Sequence, residues 1–223
     1  LSVMEEVWHK EGERIDLVIF LNGIAIFTFE LKCNTSGQNY EDAIRQYKFE
    51  RDYKTRLLKF KAGCLAHFAM DLNEVYMCTN LKGKSSFFLP FNKGCGVGIH
   101  SGKGNPHNEN GINVSYMWED ILKKDTVLYL IDKIIFLQKE TKKDPDTGKR
   151  VTKETLIFPR YHQFNAVRKL VADAAEHHSE KNYLIEHSAG SGKTNTIAWL
   201  AHRFASLHDR ENKVIFDTVC IIT

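Results

Sequence analysis

The stretch RIDLVIFLNGIAIFTFELK, residues 14–32, constrains the fold more than any other part of the chain. Two runs of β-branched and aromatic residues flank Asn22-Gly23, a strong short-range signal for a β-hairpin. Yet Asp16, Glu30 and Lys32 stand among the apolar residues, and unpaired buried charge is costly. Residues i and i+2 of a strand share a face, so Glu30 and Lys32 point together. Whether Asp16 joins them depends on the turn. A two-residue Asn22-Gly23 loop places Asp16 opposite Phe29, on the other face from Glu30. A three-residue loop, Leu21-Asn22-Gly23, with Gly23 left-handed in a bulge, places Asp16 opposite Thr28 and diagonal to Glu30. The bulged turn is therefore expected. Two carboxylates and a lysine on one face form a hard-oxygen site suited to Mg²⁺ or Mn²⁺, with Lys32 orienting a water or offsetting developing charge. A structural salt bridge is the alternative. Two other E-x-K triplets, Glu140–Lys142 and Glu211–Lys213, lie in polar sequence that solvation explains.

A second motif, HSAGSGKT (187–194), lies between the apolar run YLIE and a helical pattern. This is the layout of a phosphate-binding loop. Ser188, Ala189, Gly190, Ser191 and Gly192 would curl backbone N–H groups around phosphate oxygens at a helix N-terminus. Lys193 would reach the β and γ phosphates of ATP, and the Thr194 hydroxyl would ligate Mg²⁺. His187 occupies the position where the usual pattern has its first glycine, a minor departure. Upstream, FPRYHQ (158–163) resembles the adenine-reading element of helicases, with Gln163 on the base edge and Arg160 flanking the ring; a plain helix N-terminus is the alternative. An ATPase also needs an acidic residue on a later strand. The chain stops before any such strand, so this stretch is expected to bind ATP without turning it over.

Between these motifs, residues 40–58 have the pattern of a helix, CLAHFAM (64–70), EVYMCTNL (74–81) and SSFFLPF (85–91) of short strands, and residues 116–138 of another helix. A six-glycine loop spans Asn92–Gly111 and opens onto no helix, which argues against a second nucleotide loop. KETKKDPDTGKRVTKET (139–155) has the composition of a charged linker or exposed excursion. It divides a domain at 1–138 from one at 156–223, whose strand–loop–helix–strand order implies a parallel α/β sheet. Both ends have the look of cuts in a longer polypeptide, and VIFDTVCIIT suggests a buried strand.

A net charge of +3 does not establish a nucleic-acid partner, and no apolar run approaches the roughly 20 residues of a membrane span. The five cysteines include no C-x-x-C pair, so a reducing, cytoplasmic setting is the default.

Asp16…Glu30-Leu31-Lys32 resembles the PD-(D/E)xK nuclease pattern. Followed by YHQ…SAGSGKT, it resembles the restriction (motor) subunit of type I restriction–modification enzymes, a similarity extending to EDAIRQY (41–47), KSSFFLPFN (84–92) and IEHSAGSGKTNTIAWLAHR (185–203). The resemblance implies a restriction-endonuclease-like α/β core followed by the start of a RecA-like P-loop domain. It implies Mg²⁺-dependent cleavage of double-stranded DNA after ATP-driven translocation, in a complex with methylation and specificity subunits. By it, Asp16 and Glu30 hold metal with the Leu31 carbonyl, and Lys32 is catalytic. Gln46 stands for the glutamine of the family's Q-x-x-x-Y element, but Glu50 occupies the tyrosine position and the tyrosine is unassigned. Arg45, Lys48, Arg51, Lys54, Arg56, Lys59 and Lys61 are candidate phosphate contacts along helix 40–61; a solvated face is the alternative. A repair-type helicase–nuclease and a nucleotide-binding interaction module with a structural hairpin are the competing functions.

Overall fold

A computed structural model describes residues 1–95, 102–144, 147–178, 180–209 and 211–222. These divide into two units, Leu1–Ile131 with Ile135–Phe158, and Asp132–Ile134 with Pro159 onward.

The first unit is built on a mixed sheet whose six strands lie in sequence order: β1 (Ser2–Lys10), β2 (Glu13–Leu21), β3 (Ile24–Leu31), β4 (Ala66–Met70), β5 (Val75–Cys78) and β6 (Leu89–Pro90). Neighbours are antiparallel except β3 and β4, which run parallel and need a crossover. That crossover carries α1 (Tyr40–Arg45), started by a capping box in which Asn39 accepts the Glu41 N–H and Asp42 accepts the Asn39 N–H.

The hairpin turn differs from expectation. Asn22 (φ 49°) and Gly23 (φ 80°) are both left-handed and Leu21 pairs with Ile24, so the loop has two residues. Asn-Gly takes positive φ at both positions at little cost, and the resulting twist matches that of the strands. The register then shifts inside the strand: Phe20 pairs with Ala25 but Ile19 with Phe27, which leaves Ile26 as the extra residue of a bulge. Leu65 N–H takes the Ile26 carbonyl. Beyond the bulge Leu17 pairs with Phe29, the last pair of this ladder, so that Asp16 follows at the end of β3.

Phe27, Phe29 and Phe68 share one sheet face, where they meet Phe91 and Phe158 in edge-on and stacked contacts. The opposite face carries Thr28 and Glu30. There the Thr28 hydroxyl is 2.8 Å from both Tyr47 Oη and His67 Nδ1, all three residues buried. Burial pushes the His67 imidazole down to about 3 from 6.5, so the folded chain keeps it neutral. The unfolded chain gains a proton below pH 6.5 that the folded one refuses. This contribution is therefore complete above pH 6.5 and is lost as pH falls toward 3. At pH 5 the loss is about 2 kcal/mol, from about 1.4 per pH unit. In urea titrations, wild type should lose about 2 kcal/mol more stability between pH 8 and pH 5 than His67→Gln. Equal losses would show that His67 titrates normally.

The helix expected over residues 40–58 is shorter. After α1 a π-helical turn (Gln46–Glu50) ends at Arg51, which is extended (φ −115°, ψ 130°). Tertiary bonds overrule the local pattern: Glu13 captures the Asp52 N–H at 2.7 Å, and Asp52 caps the next turn through Lys54 N–H. Residues 116–138 also break up, into π-helical turns at Met117–Ile121 and Leu130–Ile134 flanking α2 (Lys124–Tyr129). Of the two readings of 139–155, linker or exposed excursion, the second describes it: these residues form most of a largely exposed antiparallel hairpin, β7 (Phe136–Lys143) with β8 (Arg150–Ile157). Thr147 N–H caps Asp144 in its turn, Thr141 bonds Thr152 across the strands, and Leu156 O accepts from Thr79.

The second unit packs α3 (Tyr161–His177) on α4 (Lys193–Ala205). Phe164, Val167, Val171 and Ala174 form the buried stripe of α3, and Trp199 Nε1 donates to Ile134 O at 2.8 Å. The expected parallel sheet is not formed among the described residues. YLIE is irregular with Leu184 92% exposed, and 214–222 is likewise irregular with Ile222 93% exposed. A parallel strand satisfies its backbone only through neighbouring strands; among the described residues 183–186 pairs with none, and 214–222 makes one antiparallel bridge, Val214 to His208.

Candidate functional site

The two-residue turn and the bulge at Ile26 bring the start of β2 alongside the end of β3, where Asp16 meets the residue after Glu30. Asp16 Oδ2 accepts the Leu31 N–H at 2.7 Å, which fixes the aspartate against the end of β3. Glu30 is 0% exposed. Arg51 donates Nε to its Oε1 at 2.6 Å and Nη2 to its Oε2 at 3.2 Å. Burial raises the Glu30 carboxyl to about 7; the charge of Asp16 adds to this, and Arg51 and Lys32 oppose it. Lys32 lies one residue past β3, where its N–H continues the ladder to Met70 O at 2.9 Å.

The predicted Asp16, Glu30, Leu31 and Lys32 are thus brought together. Among the described residues no cluster of three or more His, Cys, Asp or Glu side chains forms a metal cage. The oxygen donors are two carboxylates and a main-chain carbonyl. They fit a hard divalent ion by their chemistry, and the guanidinium held by both Glu30 oxygens shows that this carboxylate takes a cation. Gln46, in the π-helical turn before Arg51, has its Oε1 buried without a hydrogen-bond partner.

Arg51 is the residue that sequence reasoning misplaced. The sequence pattern sets it among the cations of one helix face, and that face is not formed: of those cations Arg45 and Lys48 lie in helical elements. Arg45 pairs with Glu50, Arg51 with Glu30, and Lys61 with Glu154. Nothing local in the sequence distinguishes Arg51 from its basic neighbours.

In the second unit Gly190 (φ 71°) and Gly192 (φ 85°) are both left-handed, and Gly192 caps α4. Lys193 Nζ donates to His187 O and Ser188 O, both at 3.0 Å, lying along its own loop. Thr194 is exposed at the first turn, and the Ser191 hydroxyl is buried without a partner. Left-handed glycines, a helix N-terminus and a loop-bound lysine fit a polyphosphate. Gln163 is buried and works within the protein: Oε1 accepts Arg160 N–H and Nε2 donates to Gly192 O, both at 2.8 Å. A Cβ on Gly192 would sit 2.5 Å from that Nε2 and displace the amide, and the positive φ of 85° strains any larger residue there. His162 Nε2 reaches Ser191 O at 3.2 Å, and its ring meets His187 edge-on.

Comparison with known proteins places these features. Residues 1–86 match the family model of the type I restriction enzyme R protein N terminus. Residues 156–219 match the model of the type III restriction enzyme res subunit. The chain is 28% identical over 216 residues to a Methanocaldococcus jannaschii protein named as type I restriction enzyme MjaVIIIP endonuclease subunit, covering 90% of this chain and 18% of that protein. A second protein of that organism, named as the MjaVIIP endonuclease subunit, is 25% identical over 227 residues, covering 95% of this chain and 18% of its own length. This chain therefore spans under a fifth of these relatives. No solved structure matches.

Proposed function

We infer that this chain, a member of the type I restriction enzyme R protein family, carries a metal-dependent DNA-cleaving centre in its first unit and an ATP-binding loop in its second. The observation that carries the reading is the contact of Asp16 with the end of β3: its Oδ2 accepts the Leu31 N–H, next to buried Glu30 and with Lys32 at the strand exit. Asp16, Glu30 and the Leu31 carbonyl would hold Mg²⁺ or Mn²⁺. The bound ion supplies an acidified water and neutralises charge on a phosphodiester. Lys32 then directs its ammonium at the attacking water or at the oxygen gaining charge, and the free Gln46 Oε1 accepts a hydrogen bond from a water beside the site.

In the second unit the loop 188–192 would hold phosphates through its backbone N–H groups, Lys193 would offer them its ammonium, and Thr194 would supply a hydroxyl to Mg²⁺. ATP supplies the free energy for movement along DNA. Gln163 acts by holding Gly192 in place, while Arg160 lies beside the base. The partners of the full-length protein are double-stranded DNA and the methylation and specificity subunits.

The test is Mg²⁺-dependent cleavage of duplex DNA by the full-length enzyme with Asp16→Asn. Asparagine keeps the Leu31 hydrogen bond but removes the anion, so cleavage should disappear from a folded protein. Undiminished cutting would remove Asp16 from the centre.

A further inference from the structure

Glu30, on the reading above, is a metal ligand, yet in this structure it already holds a cation. Its carboxylate is fully buried, and the Arg51 side chain that covers it is only 10% exposed. The guanidinium donates to both carboxylate oxygens, a planar fork that fills the acceptor edge a metal would use. This is not a chance surface pairing, because the backbone is shaped to deliver it. The helix stops at Arg51, and the next residues are clamped to the β1–β2 end of the sheet. Asp52 N–H donates to Glu13 Oε2 at 2.7 Å. Lys10 Nζ bridges Glu13 Oε1 at 3.0 Å and Asp52 Oδ2 at 3.2 Å, and the Thr55 hydroxyl meets His9 Nδ1 at 3.0 Å.

A divalent ion entering beside Asp16 and Glu30 would face this fixed positive charge at close range in a buried setting, where repulsion is poorly screened. Two carboxylates left without any cation would repel each other instead. We propose that Arg51 is a positioning residue that stands in for the divalent ion, holding Glu30 aligned until metal binds and then withdrawing with the 51–55 segment. The inference rests on the nuclease reading and adds to it a cost on metal entry: binding is coupled to release of the Glu13–Lys10–Asp52 clamp. Loading of the site is thereby linked to whatever moves that segment.

Mn²⁺ titration calorimetry on the full-length protein tests this, with hydrogen exchange followed at residues 51–55. Wild type should bind Mn²⁺ weakly, with exchange at Asp52 accelerating on saturation as its N–H leaves Glu13. Arg51→Gln, which keeps a polar amide without the charge, should bind Mn²⁺ at least tenfold more tightly. Glu13→Gln, which loosens the clamp and leaves Arg51 in place, should give an intermediate gain and serves if Arg51→Gln does not fold. Asp16→Asn should abolish binding in every background. Asp16-dependent binding of equal strength in wild type and the variants, or unchanged exchange at Asp52, overturns the stand-in role and leaves the nuclease reading intact. No Asp16-dependent binding in any folded protein removes both.

Discussion

Lys32→Ala should leave the sheet folded and cut DNA cleavage by the full-length enzyme by about 10²- to 10³-fold, the loss typical of one donor aimed at developing charge. The structural side of this expectation follows from what Lys32 contributes to the fold. Its anchoring bond to Met70 is made by the backbone and survives the substitution. Its side chain is half-buried at the end of the strand, so the change in stability should stay within about 0.5 kcal/mol. The chemical side follows from position. Lys32 shares the Glu30 face and opposes the ionisation penalty there, so its charge reaches the carboxylate pair. The contrast with Asp16→Asn is informative: that variant should lose Mn²⁺ binding along with cleavage, whereas Lys32→Ala should keep metal binding and lose only the reaction. ATP-driven translocation, measured on the same preparations, should be unchanged in both. A folded Lys32→Ala enzyme that cuts within threefold of wild type would refute the assignment.

The site was legible where chemistry is local and obscure where it depends on distant partners. Alternation about Asn22-Gly23 located the hairpin, and the odd charges marked Asp16, Glu30 and Lys32. The three-residue bulged turn that the sequence suggests is not the turn that forms. The turn is tight, and the register is rescued by a bulge at Ile26, an apolar residue indistinguishable in sequence from its neighbours. Arg51 illustrates the larger limit. Helical propensity runs through it, but the buried Glu30 on one side and the Glu13 bond to Asp52 on the other outweigh one more helical turn. Residues 139–155 are legible as an exposed excursion but not as strands. Charged strands lacking an apolar face resemble a linker, and only the Asp144–Thr147 turn and the Thr141–Thr152 pair betray the hairpin. In the second unit GSGKT specifies its own backbone through two left-handed glycines. The run YLIE cannot do the same, because a strand exists only with neighbours.

Lys193→Ala should weaken ATP binding by about 30- to 150-fold, the equivalent of about 2–3 kcal/mol for a charge-assisted contact to phosphate. Its two present partners, the His187 and Ser188 carbonyls, are solvent-side loop groups that water can satisfy, so the fold should tolerate the change. Gln163→Ala offers the sharper comparison. Its amide is committed to Arg160 N–H and Gly192 O, and truncation leaves both without that partner while freeing the loop at its tightest approach. Because that damage lies at the phosphate loop, Gln163→Ala should weaken ATP and GTP alike, by about tenfold, for a net loss near 1.4 kcal/mol. A glutamine that reads the adenine edge behaves otherwise: its removal lowers ATP affinity, spares GTP and erases the preference between them. Fluorescent ATP and GTP analogues titrated against wild type, Lys193→Ala and Gln163→Ala separate the two roles. Parallel losses at Gln163 assign the residue to the loop, and a collapse of base selectivity alone assigns it to the base.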